Sequence, residues 1–140
     1  MNTLATNLLT QIRQNLPVNR AGVNRREEGD FGERLALKFL AGKGYRLVER
    51  NYCLRGGEID LILQKNGIIV FAEVKMRRSP AFGHPAESIG TRKKIRLLRA
   101  IRTWQKEKEL KSSWRCDLVA IQFTSGRQAK VWHYQNIFSD

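Results

Sequence analysis

The chain has 140 residues, 41% of them hydrophobic and 28% charged, which is enough for one domain with a core of its own. Lys and Arg outnumber Asp and Glu by 26 to 13, a net charge of +13 that favours a polyanionic partner, nucleic acid before an anionic membrane surface. No apolar run approaches the roughly 18 residues of a membrane span, and residues 1–16 lack the layout of a secretory signal. Cys53 and Cys116 stand alone, which argues against a zinc site or a disulfide framework, so the expected setting is reducing, cytoplasmic and without membrane attachment.

Leu4, Leu8, Leu9, Ile12 and Leu16 have helical spacing, and Pro17 ends that segment. Residues 1–24 are therefore expected to form an extension, a short helix plus a polar linker, ahead of a domain spanning 25–140. Gly29 or Asp30 is placed to cap a helix through Phe31, Leu35, Ala36, Phe39 and Leu40, closed by Gly42-Lys43-Gly44. Extended segments follow at Tyr45–Leu54, Glu58–Gln64 and Ile68–Lys75, split by Gly56-Gly57 and by Asn66-Gly67. After a loop containing Pro80, Gly83 and Pro85, a long helix is expected from about Ser88 to Leu110. Extended segments at Arg115–Phe123 and Ala129–Tyr134 close the chain. The order αβββαββ predicts an α/β fold, a mixed sheet flanked by helices.

Asn-Gly between two apolar runs is a strong signal for a two-residue hairpin turn. With Asn66 and Gly67 in the turn, Lys65 pairs with Ile68, Asp60 falls opposite Glu73, and Glu58 falls opposite Lys75. One sheet face thus gathers Glu58, Asp60, Glu73 and Lys75, while Ile59, Leu61 and Leu63 fill the other. Opposed side chains have Cβ atoms about 4.5–5.5 Å apart, so two carboxylates there repel unless something compensates. A shared proton, Lys75 or a divalent cation would do so. Mg²⁺ (or Mn²⁺) suits best, because it takes one or two carboxylates and completes its shell with water and phosphate oxygens. Lys75 would then stabilise developing negative charge or orient a water. The plain alternative is a charged edge strand with a Glu58–Lys75 cross-strand pair.

Asp60 followed by Glu73-Val74-Lys75 resembles the signature of the restriction-endonuclease-like, or PD-(D/E)XK, nuclease superfamily. GDFGERLALKFLAGKGYRLVERN, residues 29–51, resembles the first helix and strand of archaeal Holliday-junction resolvases. The run through GEIDLI, EVKMR and RCDLVAI is more similar still to the YraN-like bacterial family, over roughly residues 25–138. The resemblance implies a restriction-endonuclease-like core and metal-dependent phosphodiesterase chemistry on DNA, branched or junction DNA in particular. It makes Asp60 and Glu73 metal ligands, lets the Val74 carbonyl complete the site, and gives Lys75 the catalytic lysine's role. Glu33 matches an acidic residue that faces the same metal in the resolvases, although a solvated glutamate at a helix start reads equally well. Ile59 stands where proline often precedes the aspartate. Resolvases cut two symmetric strands, so a homodimer is implied.

Residues 76–111 carry eleven basic and three acidic side chains. On the second helix Leu97, Leu98, Ile101 and Trp104 cluster on one side, and Arg92, Arg96, Arg99, Arg102 and Lys106 on the other. That stripe, joined by Arg77 and Arg78 beyond the EVK strand, is the expected contact with a phosphate backbone, with DNA placed ahead of RNA. The expected function is a Mg²⁺- or Mn²⁺-dependent endonuclease. The alternatives are a nucleic-acid-binding protein that keeps a nuclease-like fold without cutting, or a small basic interaction protein whose acidic square is structural. His84 and His133 are given no catalytic role.

Overall fold

In the computed structural model, which describes residues 6–11, 25–78, 83–123 and 128–138, Asn66 and Gly67 have φ of 52° and 75°. These are the paired left-handed residues a tight hairpin turn requires. They join β3 (Gly57–Lys65) to β4 (Ile68–Arg77), and Lys65 pairs with Ile68 as the motif demands. The remaining elements are β1 (Thr6–Gln11), α1 (Arg25–Gly42), β2 (Arg46–Leu54), a short 3₁₀ turn (Pro85–Ser88), α2 (Thr91–Glu107), β5 (Trp114–Phe123) and β6 (Gln128–Tyr134).

Six strands form one mixed sheet in the order β1-β6-β5-β4-β3-β2, antiparallel throughout except for the parallel β4–β5 pair that α2 connects. Alternation along β4 sorts the core into two layers. Val70 and Ala72 pack with Leu61, Leu63, Val119 and Ile121 beneath Phe31, Ala36 and Leu40 of α1. Ile69 and Phe71 pack with Ile59, Ile62 and Cys116 beneath Leu97, Ala100, Ile101 and Trp104 of α2. Each helix thus covers one face, as an amphipathic helix must to bury its apolar stripe.

Four expectations need correction. Residues 6–11 are a strand rather than part of a helix, because the open edge of β6 offers a hydrogen-bonded ladder. The other residues of the 1–24 extension lie outside the described ones. The first helix starts at Arg25, a turn before the anticipated Gly29–Asp30 cap, with Glu27 and Glu28 favourably placed in its first turn. It ends as anticipated: Gly44, at φ 91°, lets Tyr45 N–H reach Leu40 C=O and Gly44 N–H reach Ala41 C=O. The long helix is shorter than expected, because Ile89 and Gly90 separate the 3₁₀ turn from α2. Finally, Ile59 does not share a face with Leu61 and Leu63 but joins the α2 layer, so the pleat is broken at residues 59–60.

Gly57 explains part of that break. A Cβ there would sit 2.7 Å from the backbone oxygen of Arg96, so only glycine allows α2 to lie this close to the start of β3.

Candidate active site

The β3–β4 ladder runs from Lys65↔Ile68 to Leu61↔Ala72 and stops. In the continued register Val74 N–H would face the Ile59 backbone; it instead donates to Asp60 Oδ2 at 2.9 Å. The strands separate where the acidic residues begin, and the Asp60 carboxylate replaces a main-chain acceptor in the widening gap. Asp60 and Glu73 are brought together as expected, near enough for each to perturb the other's ionisation. Glu58 and Lys75 are not paired: beyond the split, Glu58 pairs with Cys53 of β2 and Lys75 with Ala120 of β5. Glu58 is exposed and reaches Lys93 at 3.9 Å.

Glu73 is 1% exposed on the α2 side of the sheet. Its Oε1 receives Lys93 Nζ at 3.1 Å and Lys75 Nζ at 3.5 Å, whereas its Oε2 is buried with no hydrogen-bond partner. Burial raises the Glu73 pKa to about 8, Asp60's negative charge adds to the rise, and the two lysines oppose it. Asp60 is raised in turn, by burial first, against the Val74 N–H that favours its ionised form. A half-buried and a buried carboxyl side by side, with one orphaned oxygen, call for a proton or a cation between them.

On the α1 side, Glu33 is buried, with its pKa lifted to about 7 by burial and then by Asp60. Arg50 approaches it at 3.6 Å. With its amide nitrogen turned inward, Asn51 donates to both Glu33 oxygens at 2.8 and 3.1 Å. Asn51 has φ 54°, a conformation that asparagine tolerates better than most residues. A polar cleft of about 330 Å³ lined by Glu27, Asp30, Arg34, Arg50 and Asn51 opens on this side.

Among the described residues, no three His, Cys, Asp or Glu side chains converge into a metal cluster. Glu33 lies beside the Asp60–Glu73 pair: Arg50 and Asn51 hold its carboxylate, and it acts on Asp60 through charge. Val74 contributes a main-chain N–H to the site, donated to Asp60. What remains for a cation is the Asp60–Glu73 pair, and two carboxylates are a set that Mg²⁺ or Mn²⁺ accepts while keeping several waters. The unpartnered Glu73 Oε2 fits that role.

The basic residues divide. Arg92, Arg96, Arg99, Arg102 and Lys106 are all exposed on the outer side of α2, opposite its buried stripe. Arg78 instead forms an ion pair with Glu28 of α1, and Arg77 donates to its neighbour's carbonyl oxygen at 3.2 Å. His84 hydrogen-bonds Ala86 N–H at 3.1 Å, capping the 3₁₀ turn. Lys93 is the residue whose place the sequence reading missed. It lies four residues before Leu97 on the sheet-facing side of α2, and a cation there requires an anion on the sheet beneath.

A second buried polar cluster lies apart from the carboxylate pair. Asp117, fully buried, accepts from Arg115 Nε at 3.0 and 3.2 Å and from Asn136 N–H at 3.0 Å, and contacts His133 Nε2 at 2.8 Å. Tyr45 takes the other end of Arg115. The cluster ties β5, β6, the start of β2 and the C-terminal segment together. No described helix is long and apolar enough to cross a membrane.

Comparison with known proteins places this architecture in a family. The model described as "Uncharacterised protein family UPF0102" matches residues 32–121, which include the whole carboxylate site. A UPF0102 protein of Carboxydothermus hydrogenoformans is 40% identical over 116 residues, 82% of this chain and 98% of that protein. One from Pelobacter propionicus is 35% identical over 129 residues, 90% of this chain and 92% of that protein. One from Trichlorobacter lovleyi is 34% identical over 119 residues, covering 84% and 94%. On this match and these relatives, the chain belongs to the UPF0102 family.

Proposed function

We propose that the chain is a divalent-metal-dependent nuclease that hydrolyses phosphodiester bonds in DNA, with a restriction-endonuclease-like core. The observation that carries this reading is the half-buried Asp60 beside the buried Glu73, with one Glu73 oxygen unpartnered and a lysine two residues away on the same strand face. Structural ion pairs seldom set two carboxyls side by side away from open solvent, since each raises the other's cost of ionisation. Asp60 and Glu73 would hold Mg²⁺ or Mn²⁺, which supplies a polarised phosphoryl oxygen and a more acidic water. Val74 N–H fixes the Asp60 carboxylate. Lys75, anchored at 3.5 Å to Glu73, is placed to stabilise charge developing on the phosphate or to orient the attacking water. The outer face of α2 holds the backbone by charge and carries no element that reads bases. The resolvase likeness points to branched or junction DNA, and a cytoplasmic setting follows from the same reading.

A second reading, a DNA-binding protein with this core and no cutting activity, draws on one observation: Lys93 already supplies Glu73 with a cation. Cleavage assays decide between them. With Mg²⁺ or Mn²⁺, a four-way junction or flap is cut by the native protein and not by Asp60→Asn or Lys75→Ala. DNA binding with no product under any metal or pH favours the binding protein.

A further inference from the structure

We infer that Lys93 is a built-in counter-ion that occupies Glu73 in the metal-free site and gives way when DNA binds along α2, so that metal binding and DNA binding are coupled. The inference rests on the proposed nuclease reading and deepens it. Lys75 and Lys93 both reach Glu73 Oε1, at 3.5 and 3.1 Å, so a divalent ion arriving between Asp60 and Glu73 meets two ammonium groups already in place. Adding a divalent ion beside two ammonium groups leaves a positive excess in a largely buried site, which costs energy unless a cation leaves or an anion arrives. Lys75 is the less suited to leave, because among the described residues its ammonium pairs with Glu73 alone.

Lys93 is suited to it. Its ammonium reaches the site on a flexible stem, is partly exposed, and has a second carboxylate, Glu58 on the rim, at 3.9 Å. The helix that supplies it carries Arg92, Arg96 and Arg99 outward, where phosphates would gather. A backbone phosphate entering between that stripe and Glu58 offers Lys93 an alternative anion, and its departure leaves Glu73 open to the metal. α2 therefore links the two events through one side chain. Lys93 acts here as a positioning residue.

The test follows free Mn²⁺ by its electron paramagnetic resonance signal, with and without a short DNA duplex, against a DNA-only control. In the native protein, DNA tightens Mn²⁺ binding about tenfold. In Lys93→Met, Mn²⁺ binds about tenfold tighter than to the native protein without DNA, and DNA adds little. Lys93→Arg keeps the charge and retains the native pattern. Lys93→Gln repeats the comparison if Lys93→Met does not fold, and failure of both to fold overturns the inference by making the ion pair structural. Equal Mn²⁺ affinity in native and Lys93→Met protein, or no coupling to DNA, overturns it while leaving the nuclease reading intact. Absence of Mn²⁺ binding in every variant overturns both.

Discussion

Val74 N–H donates to Asp60 Oδ2 at the point where β3 and β4 part, so one hydrogen bond both ends the ladder and holds a carboxylate against Glu73. The two roles of Asp60 are separable. Asp60→Asn keeps an oxygen for Val74 but removes the charge that raises both Glu73 and Glu33. The expected outcome is cleavage reduced at least about a hundredfold, weaker Mn²⁺ binding, and a metal-free protein stabilised by about 1–2 kcal/mol. Asp60→Ala loses the hydrogen bond as well and gains less. Thermal melts in chelator and a cleavage assay check the contrast; a less stable Asp60→Asn would mean that the charge is not a liability.

Gly57→Ala tests how the helix is seated. The added Cβ meets the Arg96 backbone oxygen at 2.7 Å, and backbone cannot swing aside like a side-chain tip. The substitution should cost about 1–3 kcal/mol in urea denaturation and weaken DNA binding, because α2 carries both Lys93 and the arginine stripe. A neutral result would show that α2 shifts freely.

How much of this was legible in the sequence depends on the range of the interaction. The hairpin was readable because Asn66-Gly67 imposes its geometry locally, and from it the meeting of Asp60 with Glu73 followed. The amphipathic faces of α2 were readable for the same reason. What failed was long-range. Nothing near Glu58 announces that β3 leaves β4, and the close seat of Gly57 under Arg96 joins residues far apart in the chain. The destination of Lys93 depends on which helix covers which face. Residues 6–11 have helical spacing, but the free edge of β6 decides their conformation.

The pH dependence of stability has a defined sign. Burial holds Glu73 near pKa 8 and Glu33 near 7, both above the ordinary 4.5. From about pH 4.5 to 8 the unfolded chain ionises these groups while the native metal-free protein keeps them largely protonated. The stability they contribute is therefore complete below the unfolded value and falls as pH rises through that window. The loss should amount to about 2–5 kcal/mol in all. Urea titrations in chelator across that range, with Glu73→Gln as the control that flattens most of the slope, check it. Saturating Mn²⁺ should also flatten the slope, because the ion takes the proton's place and releases it.

Asp117 belongs to the framework rather than the chemistry. It is fully buried with Arg115, His133 and Asn136 N–H around it, on the α1 face, while Glu73 faces α2. Asp117→Ala leaves the Arg115 guanidinium without its carboxylate and should cost about 3–5 kcal/mol. Mn²⁺ affinity measured below the unfolding temperature should stay unchanged. A loss of Mn²⁺ binding in a folded Asp117→Ala protein would tie this cluster to the site.

The outer face of α2 should account for most of the salt dependence of DNA binding. Each phosphate neutralised by a cation releases counterions, and the logarithm of affinity falls with that of salt by about 0.9 for every such contact. Arg96 and Arg99 are exposed and lie on the side of α2 away from the core. Arg96→Glu combined with Arg99→Glu should weaken binding strongly at low salt and reduce the slope by about 2. Because the variant also repels phosphate, its affinity and the native protein's should converge as salt rises. Fluorescence anisotropy with one DNA duplex over a salt series reads both effects. An unchanged slope would remove this face from the contact and direct attention to the cleft beside Glu33, where Arg34 and Arg50 are the cations that remain.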